Sequence, residues 1–270
     1  ASIPSPVAKL LQEAYLQSAM RNMRLYNELS KVLRLLEKDG IPVIVLKGAS
    51  LAEIVYDNIA LRPMDDVDLL VRRNDLSRVE KILMELDYNI PKNSKTESWS
   101  HAHLPPFTKP GSCAFEIHWT LPPAHPFRID VDGLWKRARP ATIAGARPLV
   151  LSPEDLILTL CLHTAYHHQF RFGLRPFCDI FEIIRHYHDE IQWKQMQQRA
   201  REWGGSICVH LTLLLAKELV GADVPEDVLE DFKQKGFEKR MVPWAKEQIF
   251  GDRGHLSDGS PLSPTLAQLW

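Results

Sequence analysis

A change of hydrophobic period near residue 41 constrains this chain more than any other feature. Over residues 7–38 the apolar side chains Leu10, Leu11, Ala14, Leu25, Leu29, Val32, Leu33 and Leu36 recur at helical spacing, and Asp39-Gly40 closes the run as a helix stop. The next residues, Ile41-Pro42-Val43-Ile44-Val45-Leu46, are an unbroken, β-branched run that suits a buried strand. A second such run covers residues 67–71. Between the runs, residues 50–56 predict a short helix with Ser50 as its N-cap. Residues 75–86 predict another helix from the stripe Leu76, Val79, Ile82, Leu83 and Leu86.

The turn Lys109-Pro110-Gly111-Ser112, flanked by residues 101–107 and 113–119, predicts a β-hairpin. Residues 122–126 and 139–148 read as Pro-containing connections. From Ser152-Pro153-Glu154-Asp155, a strong helix start, the pattern is helical only. The helical stripes run to about residue 170 and then over 175–187, 193–203, 207–219 and 225–250. The expected organisation is an N-terminal helical segment (1–39), a core (40–150), a helical domain (151–250) and a loose tail rich in Gly, Ser, Asp and Pro (251–270).

Charge and cysteine use narrow the function classes. The 270 residues carry 33 Lys+Arg against 34 Asp+Glu, a net charge of −1, which argues against a protein that grips duplex nucleic acid by bulk electrostatics. A small anionic ligand held by a few local groups is unaffected by that sum. Cys113, Cys161, Cys178 and Cys208 are far apart and form no C-x-x-C pair, so a zinc knuckle or thioredoxin-type motif is not available and a reducing compartment fits. No apolar run approaches the ~18 residues needed to span a bilayer, and the N-terminus has no signal-peptide pattern. A cytoplasmic protein with no membrane partner is therefore expected.

The chemistry concentrates in Arg62-Pro63-Met64-Asp65-Asp66-Val67-Asp68-Leu69-Leu70-Val71. Side chains alternate faces along a strand, so Asp66 and Asp68 point the same way and Asp65 the other. Two carboxylates on one face suit a hard divalent cation, although a solvated acidic turn fits the spacing as well. Lys47-Gly48-Ala49-Ser50 follows the first strand directly, and a glycine there lets backbone N–H groups approach a phosphate at a helix N-terminus; a simple tight turn is the plainer reading. In Phe115-Glu116-Ile117-His118-Trp119, Glu116 and His118 share one face, either as a third acid beside Asp66 and Asp68 or as the polar side of a surface strand.

In this order the three elements resemble the DNA polymerase β-like nucleotidyltransferase superfamily. More narrowly, VLKGASLAEIVYDNIALRPMDDVDLLV, then FEIHW, then LSPEDLILTLCLHTAYHH resembles a bacterial nucleotidyltransferase family, some members of which sit in lasso-peptide and other natural-product gene clusters. The resemblance spans roughly residues 41–179. It implies an α+β fold: a nucleotidyltransferase core with a small mixed β-sheet, an N-terminal helix and a helical C-terminal domain forming the other wall of a cleft. It further implies that Gly48 and Ser50 anchor the triphosphate of an NTP such as ATP, with Lys47 and Arg62 as charge-neutralising donors. Asp66, Asp68 and Glu116 would be catalytic and hold two Mg²⁺ ions, with Mn²⁺ as an alternative, and Glu116 would help the acceptor lose its proton. Two departures stand out: Ala49 rather than Gly or Ser follows Gly48, and the stretch from Gly48 to Asp66 exceeds the minimal superfamily pattern.

The expected activity is transfer of NMP to a hydroxyl acceptor, a small molecule or peptide, with release of pyrophosphate. Two other readings compete with it: a nucleotidyltransferase toxin acting on tRNA or protein, and a non-catalytic nucleotide- or peptide-binding module. In the helical half, His163 and His167 share a face at i, i+4, a spacing that can bind zinc, but Thr164 stands where the H-E-x-x-H motif has Glu, and a structural pair fits better. His118, His163, His167, Arg175 and Asp179 are candidates for contact with base or acceptor, Arg175 and Asp179 fitting a helix ion pair equally well. The histidine pair His101 and His103 reads as incidental. A partly covered face at residues 211–215 would support a dimer.

Overall fold

The computed structural model describes residues 3–91, 102–121, 126–233 and 238–251, in two compact units divided after Leu156. The expected tail at 251–270 lies, except for Gly251, outside the described residues, as do His101 and residues 122–125.

The first unit opens with α1 (Ser5–Lys38), one helix without a break. It ends in a Schellman turn: Gly40 has φ +64°, its N–H reaches Glu37 O, and Ile41 N–H reaches Leu36 O. Glycine is required here by the positive φ. The helical stripe is only half used. Leu25, Leu29, Val32, Leu33 and Leu36 are buried against the sheet, whereas Leu10, Leu11, Leu16, Met20 and Met23 are exposed.

The sheet is small and mixed, in the order β3-β2-β1-β5-β4, formed by β1 (Val43–Val45), β2 (Asp66–Val71), β3 (Ala114–His118), β4 (Arg139–Pro140) and β5 (Leu149–Val150). β1 runs antiparallel to β2 and parallel to β5, β2 runs parallel to β3, and β4 antiparallel to β5. Pairing across β1, β2 and β3 sends Val43, Val45, Val67, Leu69, Val71, Phe115 and Ile117 to one face, where they form the core with α1 and α3 (Leu76–Glu85). The opposite face of the same strands carries Asp66, Asp68, Glu116 and His118.

Several sequence expectations shift. The helix after β1, α2 (Lys47–Ile54), begins at Lys47, so Ser50 is not its N-cap; Ser50 lies inside the helix and donates to Lys47 O at 2.9 Å. The hairpin around residue 110 is present, with Gly111 at φ +74°, but its first arm contributes isolated bridges, His103 to His118 and Phe107 to Phe115, rather than a strand. Periodicity missed α4 (Val131–Arg137), capped by Asp130 and tied through Arg137 to the fully buried Asp155, and also the two-residue strands β4 and β5. Elements this short carry too few residues for a period. Ser152 does cap α5 (Pro153–Leu162), accepting from Asp155 N–H at 3.3 Å.

The second unit is helical: α6 (Arg175–His186), α7 (Trp193–Glu202), α8 (Ser206–Val220), α9 (Glu226–Phe232) and α10 (Glu238–Phe250). α8 is buried nearly all round and packs against each of the other four, which explains why its sequence is apolar without a clear stripe. Among the described residues no helix is long and apolar enough to cross a membrane.

The divided face of α1 has a measurable consequence. Leu29→Ala, at a fully buried position, should cost about 2–5 kcal/mol, while Leu11→Ala, at 56% exposure, should stay within about 0.5 kcal/mol. Urea denaturation followed by circular dichroism of the two variants checks this.

Candidate functional site

The site grows from one register. Parallel pairing sets Asp68 opposite Glu116 and Leu70 opposite His118, with Asp66 one pleat toward solvent on the same face. Asp68 is buried, Glu116 half-buried, His118 fully buried, and Asp66 exposed at the strand's entry. A buried carboxylate is costly unless paired. Asp68 has two partners: Lys47 Nζ donates to its Oδ1 at 3.0 Å, and His118 Nε2 donates to the same oxygen at 2.8 Å. His118 Nε2 is also 3.6 Å from Glu116 Oε2. One ligand atom from each of Asp68, Glu116 and His118 lies within 4.8 Å of the others.

Lys47 reaches Asp68 because the chain turns sharply there. Leu46 is extended and its N–H bonds Asp68 O, after which Lys47 adopts φ +41°, a left-handed conformation costing a non-glycine residue roughly 1–3 kcal/mol. Gly48 follows, but not to supply positive φ. The space its Cβ would occupy lies 2.8 Å from Arg62 Nη1 and 3.0 Å from Met64, so a larger residue there would have to displace these two side chains. Arg62 is buried there and donates to Pro63 O. Asp65 points away, as its alternation requires, and pairs with Arg21 at 2.6 Å.

α1 holds both edges of this face through polar groups on its buried side. Tyr26 Oη donates to Ala49 O at 2.6 Å, fixing the start of α2, and the Asn22 amide donates to Ile59 O and to Arg62 O, fixing the lead-in to β2. Neither residue stands out in the sequence, where a polar residue within a helical stripe reads as the edge of the stripe. His103, expected to be incidental, instead bridges His118, with ring centroids 4.9 Å apart.

The electrostatics sort the acids. Burial alone would raise Asp68, but Lys47 and His118 overcome it and hold the carboxyl far below the usual carboxylate range. Glu116 is lowered by the neighbouring His118 ring. His118 is raised, the pull of Asp68 and Glu116 outweighing its burial. Asp66 moves the other way: partial desolvation on its strand side, then repulsion from Asp68 and Glu116, push it up to about 6.

The remaining sequence candidates lie in the second unit. His163 and His167 stack with ring centroids 5.2 Å apart in a single π turn (His163–His167), Arg175 lies over the Phe172 ring, and Asp179 is buried in α6.

The raised Asp66 carboxyl should favour the folded state below about pH 4, its unfolded value, and that contribution is lost as pH rises through about 6. Asp66→Asn should accordingly stabilise the protein at pH 8 by up to about 1 kcal/mol, after discounting for solvent screening, with no gain at pH 4. Denaturation at the two pH values without divalent cations measures it.

A search of curated proteins gives no match. Among solved structures the chain is similar to the antibiotic-resistance factor ANT(2'')-Ia in solution, at 14% identity and TM-score 0.45, covering 65% of this chain and 89% of that one. The crystal structure of ANT(2'')-Ia in complex with adenylyl-2''-tobramycin aligns at 13% identity and TM-score 0.45, over 66% and 95% of the two chains. An antigenic nucleotidyltransferase-like protein from Paracoccidioides brasiliensis aligns at 17% identity and TM-score 0.41, over 77% and 97%. The family model described as Uncharacterised nucleotidyltransferase matches residues 1–221, and the chain belongs to that family of nucleotidyltransferases.

Proposed function

We propose that this nucleotidyltransferase moves an NMP group from an NTP to a hydroxyl on a small-molecule or peptide acceptor, with Asp66, Asp68 and Glu116 as its catalytic acids. The observation that carries the reading is the β2–β3 register, which brings these three carboxylates to one face beside the start of α2. In the reaction the acceptor oxygen bonds to the α-phosphorus, the bond from that phosphorus to the β-phosphate oxygen breaks, and pyrophosphate departs with the electron pair. Glu116 takes the acceptor's proton.

The donor set fits a hard divalent cation. Asp68, Glu116 and His118 bring ligand atoms within 4.8 Å of one another, Asp66 adds a carboxylate on the same face outside that set, and the repulsion that joins burial in pushing Asp66 up to about 6 is of the kind an added cation relieves. Mg²⁺ bound there would supply charge stabilisation to the phosphate oxygens. Lys47, already aimed into the acid set, would exchange Asp68 for a phosphate oxygen. The Ser50 hydroxyl is turned to Lys47 O, so its part is to fix the α2 turn rather than to grip phosphate.

With Mg²⁺, an NTP labelled at the α-phosphorus and an acceptor panel, the parent chain should release pyrophosphate and label a small molecule or peptide. Asp66→Ala, Asp68→Asn and Glu116→Gln should each lower the rate at least ~10²-fold with the circular dichroism spectrum unchanged. Asn is chosen at position 68 because alanine would leave Lys47 and His118 buried beside a cavity. Full activity in any of the three variants would falsify the assignment of that residue. Label on RNA or protein would point to a macromolecular acceptor. Thermal stabilisation by Mg·NTP with no pyrophosphate release would point to a binding module.

A further inference from the structure

We propose that His163, His167 and His168 form a second, nitrogen-only metal site that takes a late first-row divalent cation, zinc being the ion to test. In a regular α-helix His163 and His167 would share a face, but His168, five residues on, would be swung about 140° away from His163. Residues His163–His167 instead make a π turn, closed by the His168 N–H donating to His163 O at 3.0 Å. The wider turn brings the fifth residue back into line, and π turns within α-helices cluster at functional sites. As a result His163 Nε2 and His168 Nε2 are 3.1 Å apart, and one ligand nitrogen from each of the three rings lies within 4.8 Å of the others.

Three nitrogens around a tetrahedral zinc, at roughly 2.0–2.1 Å each, are separated by about 3.4 Å. The His163–His168 pair is already near that spacing. His167 is exposed, and its ring stacks on His163 with centroids 5.2 Å apart and stands edge-on to His168 at 4.5 Å, so the third donor already borders the pair. His163 and His168 are half-buried, with the Phe172 ring edge-on to His168 at a centroid distance of 4.0 Å. Water would fill the fourth position. All-imidazole donors suit zinc, nickel or copper over magnesium, which separates this set from the carboxylate face of the first unit. With Thr164 in place of the glutamate of H-E-x-x-H, the ion braces the π turn and is given no part in hydrolysis.

The full-length chain, stripped with EDTA and dialysed, is titrated with Zn²⁺ against a chromogenic chelator, alongside His167→Ala, His168→Gln and Asp68→Asn. The expected result is a zinc site that competes with the chelator, survives Asp68→Asn and weakens at least about 10-fold in each histidine variant. X-ray absorption at the zinc edge of Asp68→Asn should report a first shell of three nitrogens. Failure of the parent chain to compete, a smaller loss in either histidine variant, loss of the site in Asp68→Asn, or an oxygen-dominated shell would each overturn the proposal. Because His167 is exposed, its alanine variant should fold; if it does not, His167→Gln takes its place in the same comparison.

Discussion

A buried carboxylate at position 68 sets the terms for everything around it. In a low-dielectric interior an isolated Asp would simply take a proton, and Asp68 stays ionised because Lys47 and His118 both bond one of its oxygens. Each partner imposes a local cost. Lys47 must adopt positive φ immediately after β1, and His118 must sit beyond Glu116 on β3, in register with Leu70. Those requirements fix the β1–α2 turn and the β2–β3 alignment together. A one-residue slip of β3 would turn Glu116 and His118 into the apolar core and expose Phe115 and Ile117 to the acid face.

The long α1 helix acts less as a lid on the core than as a frame for this face. Its apolar stripe below Leu25 packs on the sheet, and two polar side chains on the same side, Asn22 and Tyr26, hold backbone carbonyls at either end of the site. Ala49 O lies in the first turn of α2 and Arg62 O in the lead-in to β2, so α1 supplies donors to backbone carbonyls at both places. Gly48 leaves room there for the Arg62 and Met64 side chains.

How much of this was legible in the sequence depends on the range of the interaction concerned. Strong local periods gave α1, α3, β1 and β2 to within a few residues, since a stripe such as Leu76, Val79, Ile82, Leu83 depends on near neighbours alone. The shared face of Asp66 and Asp68 followed from strand alternation. What could not be read is pairing across strands: nothing local says that Asp68 stands opposite Glu116, that His118 returns to Asp68, or that Lys47 is aimed at an acid before any phosphate arrives. Ser50 was misplaced because propensity favours a hydroxyl at an N-cap, whereas the end of β1 forces the helix to begin three residues earlier. The π turn was invisible for the same reason that α4 was: a single turn leaves no periodic trace.

The two donor sets also differ in the way that would let both work in one chain. Around Asp68 the candidate donors are mainly oxygen, with Asp68 and Glu116 held ionised by Lys47 and His118 and Asp66 alone pushed up, an arrangement that suits a hard cation arriving with phosphate. At the π turn the donors are imidazole nitrogens, with Nε2 of His163 and His168 3.1 Å apart and no carboxylate among them. Oxygen-rich, anionic sites select magnesium-like ions by charge, and imidazole sites select zinc-like ions by softness. Separate donor chemistry would therefore let an exchangeable ion serve the proposed turnover in the first unit while a retained ion held a turn in the second, without either displacing the other.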